Sequence, residues 1–105
     1  MKMIRAVIRP EKEEAVVESL EKKGFPSMTK VDVLGRGKQK GIQVGATLYD
    51  ELAKTMIMVA VEDSKLEEAL AAICEGARTG NYGDGKIFVT PIDQTHTIRT
   101  GRVEL

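Results

Sequence analysis

The chain has 105 residues, 30% of them charged, and Lys+Arg balances Asp+Glu at 16 each for a formal net charge of +0. That length suits one domain with one core, and the balance excludes a bulk electrostatic attraction to nucleic acid or an anionic membrane. Cys74 is the only cysteine, which rules out an internal disulfide, and the longest apolar run (56–61) falls far short of the roughly 20 residues of a membrane helix.

The first element is a strand in MKMIRAVIR, residues 1–9, which alternates with period two; Met3 and Ala6 are assigned to one face and Ile4 and Ile8 to the core. The N-terminus then turns acidic, unlike a signal peptide, and the chain reads as cytoplasmic, with no membrane insertion. Pro10 opens a helix with Glu11, Glu13 and Glu14 in its first turn, Val16, Val17 and Leu20 as its apolar stripe, and Gly24 at its end. MTKVDVLG is a second strand and MIMVAVE a third. Ser64 and Glu67 form an S-x-x-E capping box for a second helix whose stripe is Leu66, Leu70, Ile73 and Ala77. KIFVTPI is a fourth strand and THTIR a short fifth. The order β-α-β-β-α-β predicts an α+β, ferredoxin-like sandwich, an antiparallel sheet with two helices on one face. The uncovered face is expected to oligomerise.

Between the second and third strands, residues 36–53 form a connector longer than the about 12–15 residues usual without structure of their own, and it predicts a projecting functional loop. Two glycine–lysine clusters flank the sheet, at residues 35–41 and 83–86. Glycines let backbone N–H groups approach an anion, and lysines add charge. Arg99 and Arg102 offer planar forks suited to phosphate oxygens. Residues 80–86 even read G-x-x-x-x-G-K, yet Ile87 stands where a P-loop needs Ser or Thr, and the helix precedes the glycines instead of following them. Singly, each cluster reads as well as a hairpin turn or a solvated basic loop. His96 is the only histidine and is expected on a strand surface; Cys74 is expected as a buried small hydrophobe, and Met56 and Met58 as sheet packing.

Taken together, G-R-G-K-Q-K-G at 35–41, A-R-T-G-N-Y-G-D-G-K-I-F-V at 77–89 and I-R-T-G at 98–101 resemble the PII family of nitrogen-signalling proteins, along nearly the whole chain. The resemblance implies a homotrimer whose three intersubunit clefts bind ATP or ADP. Val7, Thr29 and Ala60 would meet the adenine. Gly35, Gly37, Lys38, Gln39, Gly83, Asp84, Gly85, Lys86, Arg99 and Arg102 would line the ribose and phosphates. Gln39 would touch Mg²⁺, and 2-oxoglutarate would lie against Gly37, Lys38, Gln39, Lys40 and Gly41, with Lys54 on its distal carboxylate. The domain would comprise an effector loop at about 36–54, a phosphate loop at 79–86 and a C-terminal loop at 99–105.

Several residues depart from the family pattern. The effector loop is shorter than in common members, so Tyr49 is out of register with the tyrosine uridylylated there. Thr97 stands where an arginine often precedes I-R-T-G, and Met58 replaces a common glutamate. The short loop, with apolar Ile42, Val44, Leu48, Tyr49 and Leu52 as its partner contacts, resembles the nitrogen-fixation-linked branch typical of archaea. Its members act on nitrogenase together with a sister PII paralogue; control of an ammonium transporter or of glutamine synthetase is the alternative. A weak ATPase or phosphoryl-transfer enzyme offers only Asp84 as a base, so an enzyme is not expected. An RNA-binding module shares the element order but needs stacking aromatics, of which Phe88 alone lies on a central strand.

Overall fold

The computed structural model describes residues 1–36, 42–44, 47–49 and 51–105, of which 42–44 and 47–49 by backbone only. Alternation makes β1 (Lys2–Ile8), with Ile4, Ala6 and Ile8 all buried on the side of the helices. Period two therefore places Ala6 with Ile4 and Ile8, against the expectation that paired it with Met3. A 3-10 turn at Pro10–Lys12 leads into α1 (Glu13–Lys22), which buries Val16 and Leu20 and packs Val17 at the edge of the core. β2 (Thr29–Gly35) follows, then β3 (Ile42–Val44) and β4 (Thr47–Tyr49), then β5 (Leu52–Val61). After α2 (Leu66–Ala77), β6 (Gly85–Pro91) completes the sheet.

The sheet runs β2-β5-β1-β6 with every neighbour antiparallel. β1 is central: Ile4 faces Val59 on one side and Val89 on the other, while Ile8 faces Thr55 and Gly85. The buried residues of β1 and β5 all lie on the face that carries the helices, where Ala69, Ala72, Ile73 and Ala77 of α2 meet Val16 and Leu20 of α1. The helices cross so closely that a Cβ on Gly76 would come within 2.8 Å of the Val16 Cα. This is the ferredoxin-like arrangement that the element order predicts. Its opposite face presents Val7, Met56 and Met58, half-buried, and Val31 and Phe88, 40% and 51% exposed.

Several expectations change. The capping box does not form: Ser64 lies inside a 3-10 turn at Asp63–Lys65, and α2 starts at Leu66 with Lys65 before it and no side-chain cap. Leu66 and Leu70 are only partly buried, because Ala69 and Ala72 take the centre of the stripe. β5 begins at Leu52, ahead of the predicted MIMVAVE, since Leu52–Lys54 keep pairing with Val33–Gly35. The connector therefore has structure of its own, with β3 and β4 pairing as a two-stranded ribbon. THTIR is no strand. The chain doubles back there, the Gly101 amide donating to the Thr97 carbonyl at 2.7 Å, and leaves a single bridge between His96 and Val103. Cys74 is half-buried on α2, and His96 is exposed. Among the described residues no helix is long and apolar enough to cross a membrane.

Candidate functional site

The phosphate-loop candidate leaves α2 at Ala77 and returns as β6, so it caps the end of the sheet at which β1 finishes. Asp84 organises it. The Thr79 and Gly80 amides donate to Asp84 Oδ2, each at 2.8 Å, and the Thr79 hydroxyl donates to Oδ1. Arg9, just past β1, donates from Nε to the same Oδ1 at 3.2 Å. The Thr79 hydroxyl and amide, then the Gly80 amide and Arg9, hold the Asp84 carboxyl well below the usual carboxylate range. With both oxygens accepting, this ionised group holds the loop together and is not placed to take a proton from a substrate.

Two cations act on the loop carbonyls. Arg9 donates from Nη2 to the Tyr82 carbonyl at 2.7 Å, and Lys54 donates from Nζ to the Gly83 carbonyl. The last β1–β5 pair is Ile8 with Thr55, so the ladder brings Arg9 and Lys54 side by side just beyond it. Burial, and next the neighbouring Arg9 charge, lower the Lys54 pKa. The Lys54 stem crosses Gly35, where a Cβ would lie 3.1 Å from the Lys54 Cγ. In a trans peptide the N–H points opposite the C=O. Carbonyls of Tyr82 and Gly83 turned toward Arg9 and Lys54 therefore direct the amides of Gly83 and Asp84 the other way, as an anion nest requires.

Gly83 and Gly85 have positive φ, +96° and +114°. A Cβ on Gly85 would sit 1.8 Å from the Val7 carbonyl oxygen, so only glycine lets β6 join β1 there. Lys86 follows on the face opposite the helices, exposed and paired with Val7.

Val7, Gly35, Lys54 and Gly83–Lys86 thus gather at one end of the sheet. Thr29 and Ala60 do not join them. They line a groove of about 590 Å³ with Phe25, Met58 and Leu105 toward the other end, where Ala60 pairs with Met3. Arg99 and Arg102 are exposed in the C-terminal turn, which follows β6 after Pro91 pairs with Lys2. The phosphate loop lies at the Gly85 end, so β6 separates the two by about 20 Å of strand. The expected convergence of Arg99 with the phosphate loop is absent within one chain. Gly37, Lys38, Gln39, Lys40 and Gly41 lie outside the described residues. Ile42, Val44, Leu48 and Tyr49 fall on β3 and β4, and Leu52, counted with the loop, belongs to β5. Arg9 and Thr79 are contributors that glycine–lysine patterns do not single out.

The family description "Nitrogen regulatory protein P-II" matches residues 1–102. The chain is 57% identical over 102 residues to nitrogen fixation nifHD1 region GlnB-like protein 1 of Methanosarcina barkeri, covering 97% of each chain. It is 52% identical to the nifHD region GlnB-like protein 1 of Methanothermococcus thermolithotrophicus, covering 96% of each. The nitrogen regulatory protein P-II of Azospirillum brasilense is 45% identical, covering 96% of this chain and 94% of its own. Among solved structures, Arabidopsis thaliana PII bound to citrate superposes with a TM-score of 0.82 at 33% identity, over 98% of this chain and 84% of that one. The chain belongs to the nitrogen regulatory protein P-II family, on the nitrogen-fixation-linked side that its methanogen relatives represent.

Proposed function

We propose that this chain senses ATP or ADP together with 2-oxoglutarate and regulates nitrogen metabolism, with nitrogenase as its first target, through the β3–β4 ribbon and its flanks. The observation that carries this reading is the loop at 79–86, where Arg9 and Lys54 engage the Tyr82 and Gly83 carbonyls while the amides of Gly83 and Asp84 face away. Such a nest takes phosphate oxygens, and Lys86 adds a positive point charge. The groove with Thr29, Met58 and Ala60 offers apolar surface for a base. Because these half-sites sit at opposite ends of one sheet, we assign each nucleotide to a cleft between copies in a homotrimer. The half-buried methionines and exposed Phe88 on the face opposite the helices suit that assembly.

Gln39, outside the described residues, would give Mg²⁺ one amide oxygen, which suits a cation held chiefly by phosphate, carboxylate and water oxygens. When bound, that metal would neutralise phosphate charge, and we place the distal carboxylate of 2-oxoglutarate at Lys54 beside Arg9. That the Arabidopsis thaliana PII was solved bound to citrate, a polycarboxylate, supports a carboxylate ligand for such a cationic corner. The nifHD region names of the methanogen relatives support nitrogenase as the target, and the number in "protein 1" accords with a sister chain as co-regulator. Asp84, already accepting from Thr79, Gly80 and Arg9, argues against an ATP-cleaving reading.

Isothermal titration tests the sensing. 2-Oxoglutarate should bind only with Mg-ATP present and should tighten ATP by the factor by which ATP tightens it. Tight 2-oxoglutarate binding without nucleotide overturns the shared site.

A further inference from the structure

Arg9 has a task that the nucleotide reading leaves open. Its guanidinium spans two points of the loop, Nε on Asp84 Oδ1 at 3.2 Å and Nη2 on the Tyr82 carbonyl at 2.7 Å. It lies so close to Gly83 that a Cβ there would meet Nη2 at 3.2 Å. Three-quarters of its side chain is withdrawn from solvent, at 25% exposure, and Asp84 is equally withdrawn at 24%. Asp84 in turn fixes the Thr79 and Gly80 amides at the far side of the loop. Arg9 itself is anchored in the fold, since it directly follows Ile8, which is 2% exposed and paired on both sides.

We propose that Arg9 is a positioning residue for nucleotide binding: by bracing Asp84 and the Tyr82 carbonyl, it holds the loop amides in their phosphate-ready orientation. Without the brace, the Tyr82–Gly83 peptide can turn about the Tyr82 ψ and the permissive Gly83 φ, and an anion would have to order it on binding. Arg suits the position because its fork meets two acceptors at once, which an ammonium does as a single point.

This inference rests on the nucleotide reading, so its test separates the two. The full chain is titrated with ATP alone, leaving out 2-oxoglutarate, so that any contact of Arg9 with a carboxylate ligand does not contribute. Arg9→Met should weaken ATP about tenfold, the scale of one charged hydrogen bond. Arg9→Lys should recover part of that loss. Asp84→Asn should reproduce part of it, and adding Arg9→Met to Asp84→Asn should cost less than it does alone, because one of the two Arg9 contacts runs through Asp84. If Arg9→Met binds ATP like the unaltered chain while Lys86→Ala is impaired, the positioning role is wrong and the nucleotide site stands. If the Arg9→Met loss is undiminished in the Asp84→Asn background, the Arg9–Asp84 contact does not position the loop and the proposed brace is wrong. If the unaltered chain binds no ATP, the nucleotide reading falls and takes this inference with it. Should Arg9→Met fail to fold, the Asp84→Asn and Arg9→Lys titrations decide.

Discussion

Asp84 and Lys86 stand two residues apart and do opposite things. Asp84 turns inward, onto Thr79, Gly80 and Arg9; Lys86 turns outward and is exposed. The difference is testable in each. Asp84 is stabilised in its charged form, so its contribution to the loop is complete above its usual pKa of 3.8 and is lost only as pH falls from there through the lower folded-state value. An NMR titration of the Asp84 carboxyl carbon should therefore give a midpoint well below 3.8, and Thr79→Val should move it upward. A midpoint at the usual value overturns the capped loop. Lys86→Ala should leave the loop intact yet weaken ATP by about 1.5–3 kcal/mol in calorimetry, the range of a hydrogen bond to a charged group. Unchanged affinity removes Lys86 from the site. The glycines and lysines were legible in the sequence because their chemistry is local. Arg9 was not, since it meets Asp84 across 75 positions and becomes a neighbour only when β1 and β6 pair.

At the scale of elements, periodicity named every strand of the sheet and both helices, and it failed where two patterns compete. Ser64 and Glu67 satisfy the capping-box spacing, but a 3-10 turn takes Asp63–Lys65 and moves the helix start beyond the serine. The apolar run of the third predicted strand begins only at Met56, whereas its hydrogen bonding reaches back to Leu52, because backbone pairing with β2 does not depend on side-chain hydrophobicity. That extension carries Lys54 into the ladder opposite Val33. The ribbon's short strands, three residues each, need further surface for stability, which a partner would supply. Deleting residues 43–51 should accordingly abolish inhibition in a nitrogenase activity assay with the sister chain present, while ATP binding stays. If the shortened chain still inhibits, and 2-oxoglutarate still relieves it, the ribbon is not the output surface.

The whole molecule poses a problem that no single copy solves. Gly83–Lys86 and Val7 occupy one end of the sheet, and Thr29, Ala60 and the turn bearing Arg99 belong to the other. Sequence motifs list such residues together without saying which copy supplies them, so the division was invisible until the register of β6 was known. In the proposed trimer, a closed ring would bring the phosphate-loop end of one copy to the Arg99 end of the next, a heterologous contact repeated three times. The arrangement predicts complementation. Chains carrying Lys86→Ala and chains carrying Arg99→Ala should each form trimers with three impaired sites. Unfolded together in equal amounts and refolded, they should recover about one intact site in four, each built where an Arg99→Ala chain lends its loop and a Lys86→Ala chain its arginine. Calorimetry should then show a tight ATP class at that stoichiometry, absent when the two trimers are mixed without unfolding. If the site instead lies within one chain, every site in the mixture carries one lesion or the other, and no tight class appears at any ratio.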